Sequence, residues 1–223
     1  METKLDELQQ TFLKISKTKL SLTKISGDRL DLDYGIVLPK TVANQVFKYL
    51  EETIEYYQGE LTQVRIFGKF HKIPRQQVAF GDDGLKYTFS GVTVPAKPWT
   101  NVLESLRNMV GCLTGHHYNF VLINRYRNGK DHIGEHRDAE KDLDRNSPIV
   151  SISLGQQRNF ILKHGESRGK NKSKSIRPVK LALEHGSILL MNPPTNEIWY
   201  HSLPPCKTAP GVRINLTFRK IIV

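Results

Sequence analysis

The segment Arg213-Ile-Asn-Leu-Thr-Phe-Arg219 constrains the fold of this chain more than any other. Every odd position is polar and every even one apolar. An extended backbone therefore puts Arg213, Asn215, Thr217 and Arg219 on one face and Ile214, Leu216 and Phe218 on the other. The apolar face suits a core. If the other face also turns inward, into a barrel or sandwich, its two arginines are costly unless anions pair with them. An exposed polar edge strand is the alternative.

Several other segments read as strands: Tyr118–Tyr126, Pro148–Leu154, Arg158–Lys163, Val179–Leu183, Ser187–Met191 and Val212–Ile222. Ahead of them the period is helical. Leu5, Leu8, Phe12 and Ile15 share a stripe within residues 1–17. Val42, Val46, Leu50 and Ile54 form a second stripe, starting after Pro39 and ending near Gly59, and Val102, Leu103, Leu106 and Val110 form a third between Pro98 and Gly111. Val64 to Gly91 reads as short strands and turns broken by Gly68, Pro74, Gly81 and Gly84. Helices first and strands afterwards predict an α+β domain built on a β-sandwich or barrel. A length of 223 residues suits one compact domain with an added N-terminal lobe.

Charge narrows the partners. The chain has 33 Lys and Arg against 22 Asp and Glu, a net charge of +11. Such an excess favours a polyanion, because each neutralised phosphate releases condensed counterions. Lys163 to Lys180 concentrates it: Lys163, Arg168, Lys170, Lys172, Lys174, Arg177 and Lys180 accompany Glu166 alone. This reads as a basic loop between strands, either a solvated insertion or a phosphate contact. Two cysteines, Cys112 and Cys206, are too few for a disulfide framework or a thiolate metal site. The charged start of the chain has no signal core, and no apolar run approaches the roughly 20 residues of a membrane span. A soluble, intracellular protein with no membrane partner is expected.

In an extended segment His136 and Asp138 point to the same side and can approach one ion together. With His201 from a distant strand they make two imidazoles and one carboxylate, the facial triad of non-haem Fe(II) oxygenases, with coordination positions left open. The alternating strand fits the same chemistry, since 2-oxoglutarate carries two carboxylates, each able to accept a guanidinium fork. Asn124 and Tyr126, two residues apart, offer an amide and a phenol on one face. A rival is His132-Ile-Gly-Glu-His136, which matches a zinc-peptidase signature whose histidines share a helical face. Gly129 and Gly134 interrupt the segment and the chain upstream reads as strand, which argues against it.

These residues resemble the AlkB family of Fe(II)- and 2-oxoglutarate-dependent dioxygenases. The likeness is carried by Arg65-Ile-Phe-Gly-Lys69, Tyr87-Thr-Phe-Ser-Gly91, Phe120-Val-Leu-Ile-Asn-Arg-Tyr126, Asp131-His-Ile-Gly-Glu-His-Arg-Asp138, Trp199-Tyr-His-Ser-Leu-Pro204 and Arg213–Arg219. It runs from about residue 55 onward and is strongest toward the branch that repairs duplex DNA. The resemblance implies a double-stranded β-helix (jelly-roll) core at 116–223, helices and a nucleotide-recognition lid at 36–115, and an N-terminal extension at 1–35, helical or partly disordered. It implies that His136, Asp138 and His201 bind Fe(II), and that Asn124, Tyr126, Arg213, Asn215 and Arg219 bind 2-oxoglutarate, with O2 as second cosubstrate. Ile66, Phe67 and Gly68 would be an apolar finger entering the duplex, and Tyr87, Phe89, Ser90, Ala139 and Glu140 would surround a flipped base. Arg75, Gln77, Arg168, Gly169 and Lys170 match DNA-contact positions.

The activity implied is oxidative demethylation of 1-methyladenine and 3-methylcytosine in duplex DNA, releasing formaldehyde, succinate and CO2. Demethylation of single-stranded DNA or RNA is the alternative. Ala139 stands where the branch more often has a second acid, and Pro205-Cys-Lys-Thr208 is less basic than its counterparts. Both departures bear on lesion preference and on contacts with the opposite strand. A DNA substrate implies a nuclear, monomeric protein if the source is eukaryotic, with the N-terminal segment available to a replication-associated partner.

Overall fold

The structure, a computed structural model, describes residues 2–66, 68–89, 92–138, 141–169 and 172–222. Helix α1 (Glu2–Ile15) precedes strands β1 (Thr23–Gly27) and β2 (Leu30–Ile36), and α2 (Lys40–Thr53) follows. Six short strands come next: β3 (Gln63–Ile66), β4 (Lys69–Lys72), β5 (Gln76–Gly81), β6 (Lys86–Phe89), β7 (Val92–Pro95) and β8 (Lys97–Pro98). After α3 (Asn101–Thr114) the chain is mainly strand: β9 (Phe120–Tyr126), β10 (Ile133–His136), β11 (Ile149–Gly155), β12 (Arg158–His164), β13 (Val179–Leu183) and β14 (Ser187–Met191). The short α4 (Thr195–Ile198) then leads into β15 (Trp199–Leu203) and β16 (Arg213–Arg219).

Two sheets face each other as in a jelly roll. The larger has the order β1-β2-β14-β11-β16-β9-β5-β8 and the smaller β10-β15-β12-β13, while β3–β4 and β6–β7 form separate ribbons. All pairs are antiparallel except β5 with β8. Alternation along the strands builds two cores. Val121, Ile123, Ile152, Ile214, Leu216 and Phe218 pack against Phe12, Val46, Leu50, Leu103 and Leu106 of the three long helices. From the opposite face, Phe120, Leu122 and Ile149 meet Leu162, Leu183 and Trp199 between the sheets. The polar positions of β9 and β16 lie on that inner side, so the site opens from within the sandwich.

The helices end where local chemistry ends them. α3 is expected from Pro98 to Gly111 but runs three residues later, because the Thr100 hydroxyl accepts from Leu103 N at 3.3 Å and Gly115, at φ +72°, closes it. α2 stops at Thr53, short of Gly59, and Tyr57 N then donates to Gln77 O of β5 at 3.0 Å. The N-terminal extension departs most from expectation. α1 is a docked helix, with Phe12 1% exposed in the core. Residues 23–36, read as helical or partly disordered, are two strands that widen the large sheet through β2–β14 pairing. Their signal was present: Leu30-Asp-Leu-Asp-Tyr34 alternates, burying Leu30 and Leu32 while Lys24 pairs with Asp31 at 2.5 Å.

Candidate metal centre and anion pocket

β10 and β15 are hydrogen-bonded neighbours, and their register sets His136 opposite His201. The imidazole centroids are 4.3 Å apart. Asp138, just beyond β10, brings Oδ1 to 3.5 Å from His136 Nε2 and 3.8 Å from His201 Nε2. One ligand atom from each residue lies within 4.8 Å of the other two. Donor atoms about 2.1 Å from a shared ion have separations of this order. His136 Nδ1–H donates to Gly134 O at 2.9 Å, which turns Nε2 toward Asp138. Burial pushes the His201 imidazole down to about 3, aided by the His136 charge, so it is neutral and able to ligate.

The Asp138 carboxylate is divided between two tasks. Oδ2 accepts from Arg219 Nε at 2.9 Å and Nη2 at 2.6 Å, which leaves Oδ1 toward the imidazoles. Burial alone would raise its pKa, but the Arg219 charge and the two imidazoles outweigh that and hold it well below the usual carboxylate range. Asn196 of α4 fixes the backbone: its Oδ1 accepts from Asp138 N at 3.0 Å and its Nδ2 donates to Asp138 O at 2.6 Å. Sequence reasoning missed Asn196, and nothing local in the sequence marks it.

His136, Asp138 and His201 line a cavity of about 590 Å³ together with Asn124, Tyr126, Arg213, Asn215 and Arg219. Asn215 donates to Ser151 Oγ at 2.6 Å, and Arg213 Nη2 to Ser153 Oγ at 2.8 Å, so β11 supplies two hydroxyls that sequence reasoning also missed. Arg213 is 1% exposed, yet its Nε and Nη1 have no hydrogen-bond acceptor among the described residues. Burial pushes its guanidinium down to about 10. A buried cation with donors to spare, in the cavity of a two-histidine, one-carboxylate set, fits Fe(II) chelated by a dicarboxylate. The peptidase alternative fails, since His132 precedes a strand and binds Lys130 O at 2.9 Å rather than sharing a helix face with His136.

Of the residues expected to touch a base or DNA, Arg75, Gln77 and Tyr87 enter this same cavity. Arg75 Nε donates to Asn124 Oδ1 at 2.7 Å, which ties the two expected groups together. Gln77 is 2% exposed, and neither amide atom has a hydrogen-bond partner among the described residues. Tyr87 packs on Phe120 at 4.8 Å between centroids, with the Arg219 guanidinium 5.2 Å from its ring. Arg168 and Gly169 instead border a separate groove of about 710 Å³ with Lys163, Lys172 and Arg177. Glu135 borders both, and there it pairs with Lys163 and, at 3.0 Å, with Arg168. Arg168 also stacks on Tyr200, 3.6 Å from the ring centroid, with Arg137 at 4.6 Å from the same centroid. Gly68 turns the β3–β4 ribbon at φ +79°, a conformation that favours glycine. Phe67, Ser90, Ala139, Glu140 and Lys170 lie outside the described residues, as do the side chains of Ile66 and Phe89.

The profile of the 2OG-Fe(II) oxygenase superfamily matches residues 35–219. The chain is 50% identical over 208 residues to the DNA oxidative demethylase ALKBH2 of Bos taurus, covering 93% of this chain and 75% of that protein. It is 51% identical over 199 residues to ALKBH2 of Homo sapiens, covering 89% and 76%. The alkB homolog 3 dioxygenase of Homo sapiens is more distant, 36% identical over 150 residues, with 66% and 52% covered. The solved structure titled "The structure of OsALKBH1" superposes with a TM-score of 0.58 at 17% identity, over 90% of this chain and all of that one, a likeness of fold. A profile spanning nearly the whole chain and half-identical relatives agree with the triad: this chain belongs to the 2OG-Fe(II) oxygenase superfamily and, within it, to the AlkB family.

Proposed function

We propose that this protein is a DNA repair dioxygenase that removes methyl groups from 1-methyladenine and 3-methylcytosine in duplex DNA. The observation that carries the reading is one cavity shared by three potential metal ligands, a buried arginine with unpaired donors, and the Tyr87 and Gln77 side chains. The relatives named DNA oxidative demethylases, half identical over most of the chain, support the substrate. Fe(II) with 2-oxoglutarate and O2 supplies the oxidation: a base N-methyl group, 2-oxoglutarate and O2 become the free base nitrogen, formaldehyde, succinate and CO2.

The chain's own groups do the rest. His136, Asp138 and His201 hold the metal, and Arg219 keeps Oδ2 of Asp138 occupied so that Oδ1 points inward. Arg213, with Tyr126, Asn124 and Asn215 near it, takes the cosubstrate carboxylates. At a guanidinium only 1% exposed a charge-assisted fork is strong. A base flipped from the stack enters beside Tyr87, and the unsatisfied Gln77 amide offers a donor and an acceptor to its edge. The nucleotide-recognition lid within 36–115 and Ile66, Phe67 and Gly68 keep the duplex open, with Phe89, Ser90, Ala139 and Glu140 around the base. Arg168, Gly169 and Lys170, in the basic loop, contact DNA phosphates. The protein works as a nuclear monomer, and its N-terminal segment is open to a replication-associated partner. Among the described residues no helix is long and apolar enough to cross a membrane.

The test is incubation with Fe(II), 2-oxoglutarate, O2 and methylated oligonucleotides, duplex and single-stranded, with formaldehyde and restored base as readouts. Faster turnover of duplex is expected. Absence of turnover on both forms of DNA overturns the reading, and single-strand preference overturns the duplex assignment. Undiminished turnover in Asp138→Ala would refute the metal assignment.

A further inference from the structure

The two histidines of the metal centre sit on a thin ladder. β10 and β15 are matched at two positions, Ile133 with Leu203 and His136 with His201, and the register shifts between them. A slip of one residue on either strand would turn an imidazole to the opposite face of the sheet. Beyond the Ile133–Leu203 pair both strands run out into loops, 127–132 and 204–212. Main-chain pairing of β15 with β12 also stops short of those loops, at Ser202 with Ile161.

Arg158, the first residue of β12, occupies that open end. It is 2% exposed, and its guanidinium donates to Asp131 O at 2.9 Å, Pro204 O at 2.8 Å and Asn128 O at 3.2 Å. One side chain thus holds the chain entering β10 and the chain leaving β15. A second, independent contact closes the same two loops. Cys206 N donates to Gly129 O at 2.8 Å, and a Cβ on Gly129 would stand 1.8 Å from Cys206 O. Arg158 bonds to carbonyls rather than to a carboxylate, and its Nε has no acceptor among the described residues. Burying its charge therefore adds little to stability, and the best-attested use of such a buried ionic group is to fix register.

We propose that Arg158 is a positioning residue of the metal centre: its guanidinium sets the β10–β15 register that brings His136 to His201. It stands outside the lining of the cavity and acts through the main chain of both strands. The inference rests on the metal assignment above and is indifferent to the substrate.

The test is titration of the whole protein, free of metal, with Co(II), reading both the Kd and the visible bands of the bound ion, which report its coordination geometry. Arg158→Met keeps most of the buried bulk and loses every donor to the three carbonyls. Its Co(II) Kd is expected to rise about tenfold, with altered bands. Arg158→Lys, which keeps the charge but not the planar fork, should fall between the two. Gly129→Ala, which forces the same loops apart, should show the same altered bands. Phe12→Ala, destabilised among the helices, should keep the wild-type Kd and bands, which separates register from general stability. Wild-type Kd and bands in Arg158→Met overturn the assignment, as does an equal loss in Phe12→Ala. If Arg158→Met does not fold, Arg158→Lys and Gly129→Ala decide, and wild-type binding in both overturns it. A wild-type protein that binds no Co(II) overturns the metal assignment itself, and the register role with it.

Discussion

Replacing Arg213 by methionine separates two consequences of one side chain. The guanidinium is 1% exposed, gives a single hydrogen bond to Ser153 at 2.8 Å, and leaves Nε and Nη1 without acceptors among the described residues. Each buried, unsatisfied donor costs about 1–3 kcal/mol. Exchanging a buried ion for an apolar side chain of similar reach gains ~1–4 kcal/mol, from which about 1 kcal/mol is lost with the Ser153 bond. Without cosubstrate, Arg213→Met should therefore gain roughly 0–3 kcal/mol over the wild type, and the middle of that range, about 1–2 kcal/mol, is expected. For a chain of this size that is a rise in Tm of roughly 2–8 °C. With 2-oxoglutarate the sign reverses. The variant forgoes a charge-assisted fork worth about 3 kcal/mol, a loss on the order of 100-fold in cosubstrate affinity. Differential scanning calorimetry under anaerobic Fe(II), with and without 2-oxoglutarate, reads both effects. A variant that melts several degrees below the wild type without cosubstrate, or that keeps the wild-type response to it, refutes the reasoning.

Asn196→Ala removes both backbone bonds to Asp138. Metal affinity, measured by Co(II) titration, should fall about 10- to 100-fold while the fold remains intact, and unchanged affinity would show the clamp to be idle. Phe12→Ala in α1 should cost about 3–5 kcal/mol in urea unfolding, because Phe12 is 1% exposed among the helices, whereas a cost below about 1 kcal/mol would mean a loosely held helix. His185 accepts from Gly155 N at 2.8 Å through Nδ1, and burial followed by the Lys40 charge lowers its pKa below 6.5. The unfolded chain then takes up a proton below pH 6.5 that the folded one refuses, so this stability is present above 6.5 and lost as pH falls below it. His185→Gln should flatten that part of the stability–pH curve, and an unchanged slope would assign it to other groups.

How far the site was legible varies residue by residue. The alternation of Arg213–Arg219 placed Ile214, Leu216 and Phe218 in one core and the polar set inside the sandwich, as observed. His136 and Asp138 were readable as a pair because two residues of extended chain share a side. His201 was read as their partner from a distant strand, and the β10–β15 register shows how it reaches them. The strands at 23–36 were overlooked because charged residues alternate with the leucines there, though the period itself was visible. Arg75 was read as a DNA contact, and the fold brings it to Asn124 in the wall of the shared cavity.

By itself the sequence determined which side chains share a face, since a period of two or of 3.6 residues is local geometry. It also determined the excess of positive charge and the kinds of metal donors available. Only the tertiary structure decided who pairs with whom. The basic loop contains one acid, yet Glu135 from β10 neutralises Lys163 and Arg168, and Asp28 joins Glu166 in holding Lys174. Arg213 and Arg219 are equivalent in the alternating pattern. Arg219 meets Asp138 across 81 residues of chain, while Arg213 bonds to Ser153, lies 5.2 Å from the Tyr126 ring centroid and keeps Nε and Nη1 without acceptors among the described residues. Neighbours so distant in sequence come together only through sheet register. Register is set by the packing of the whole sandwich rather than by any one strand.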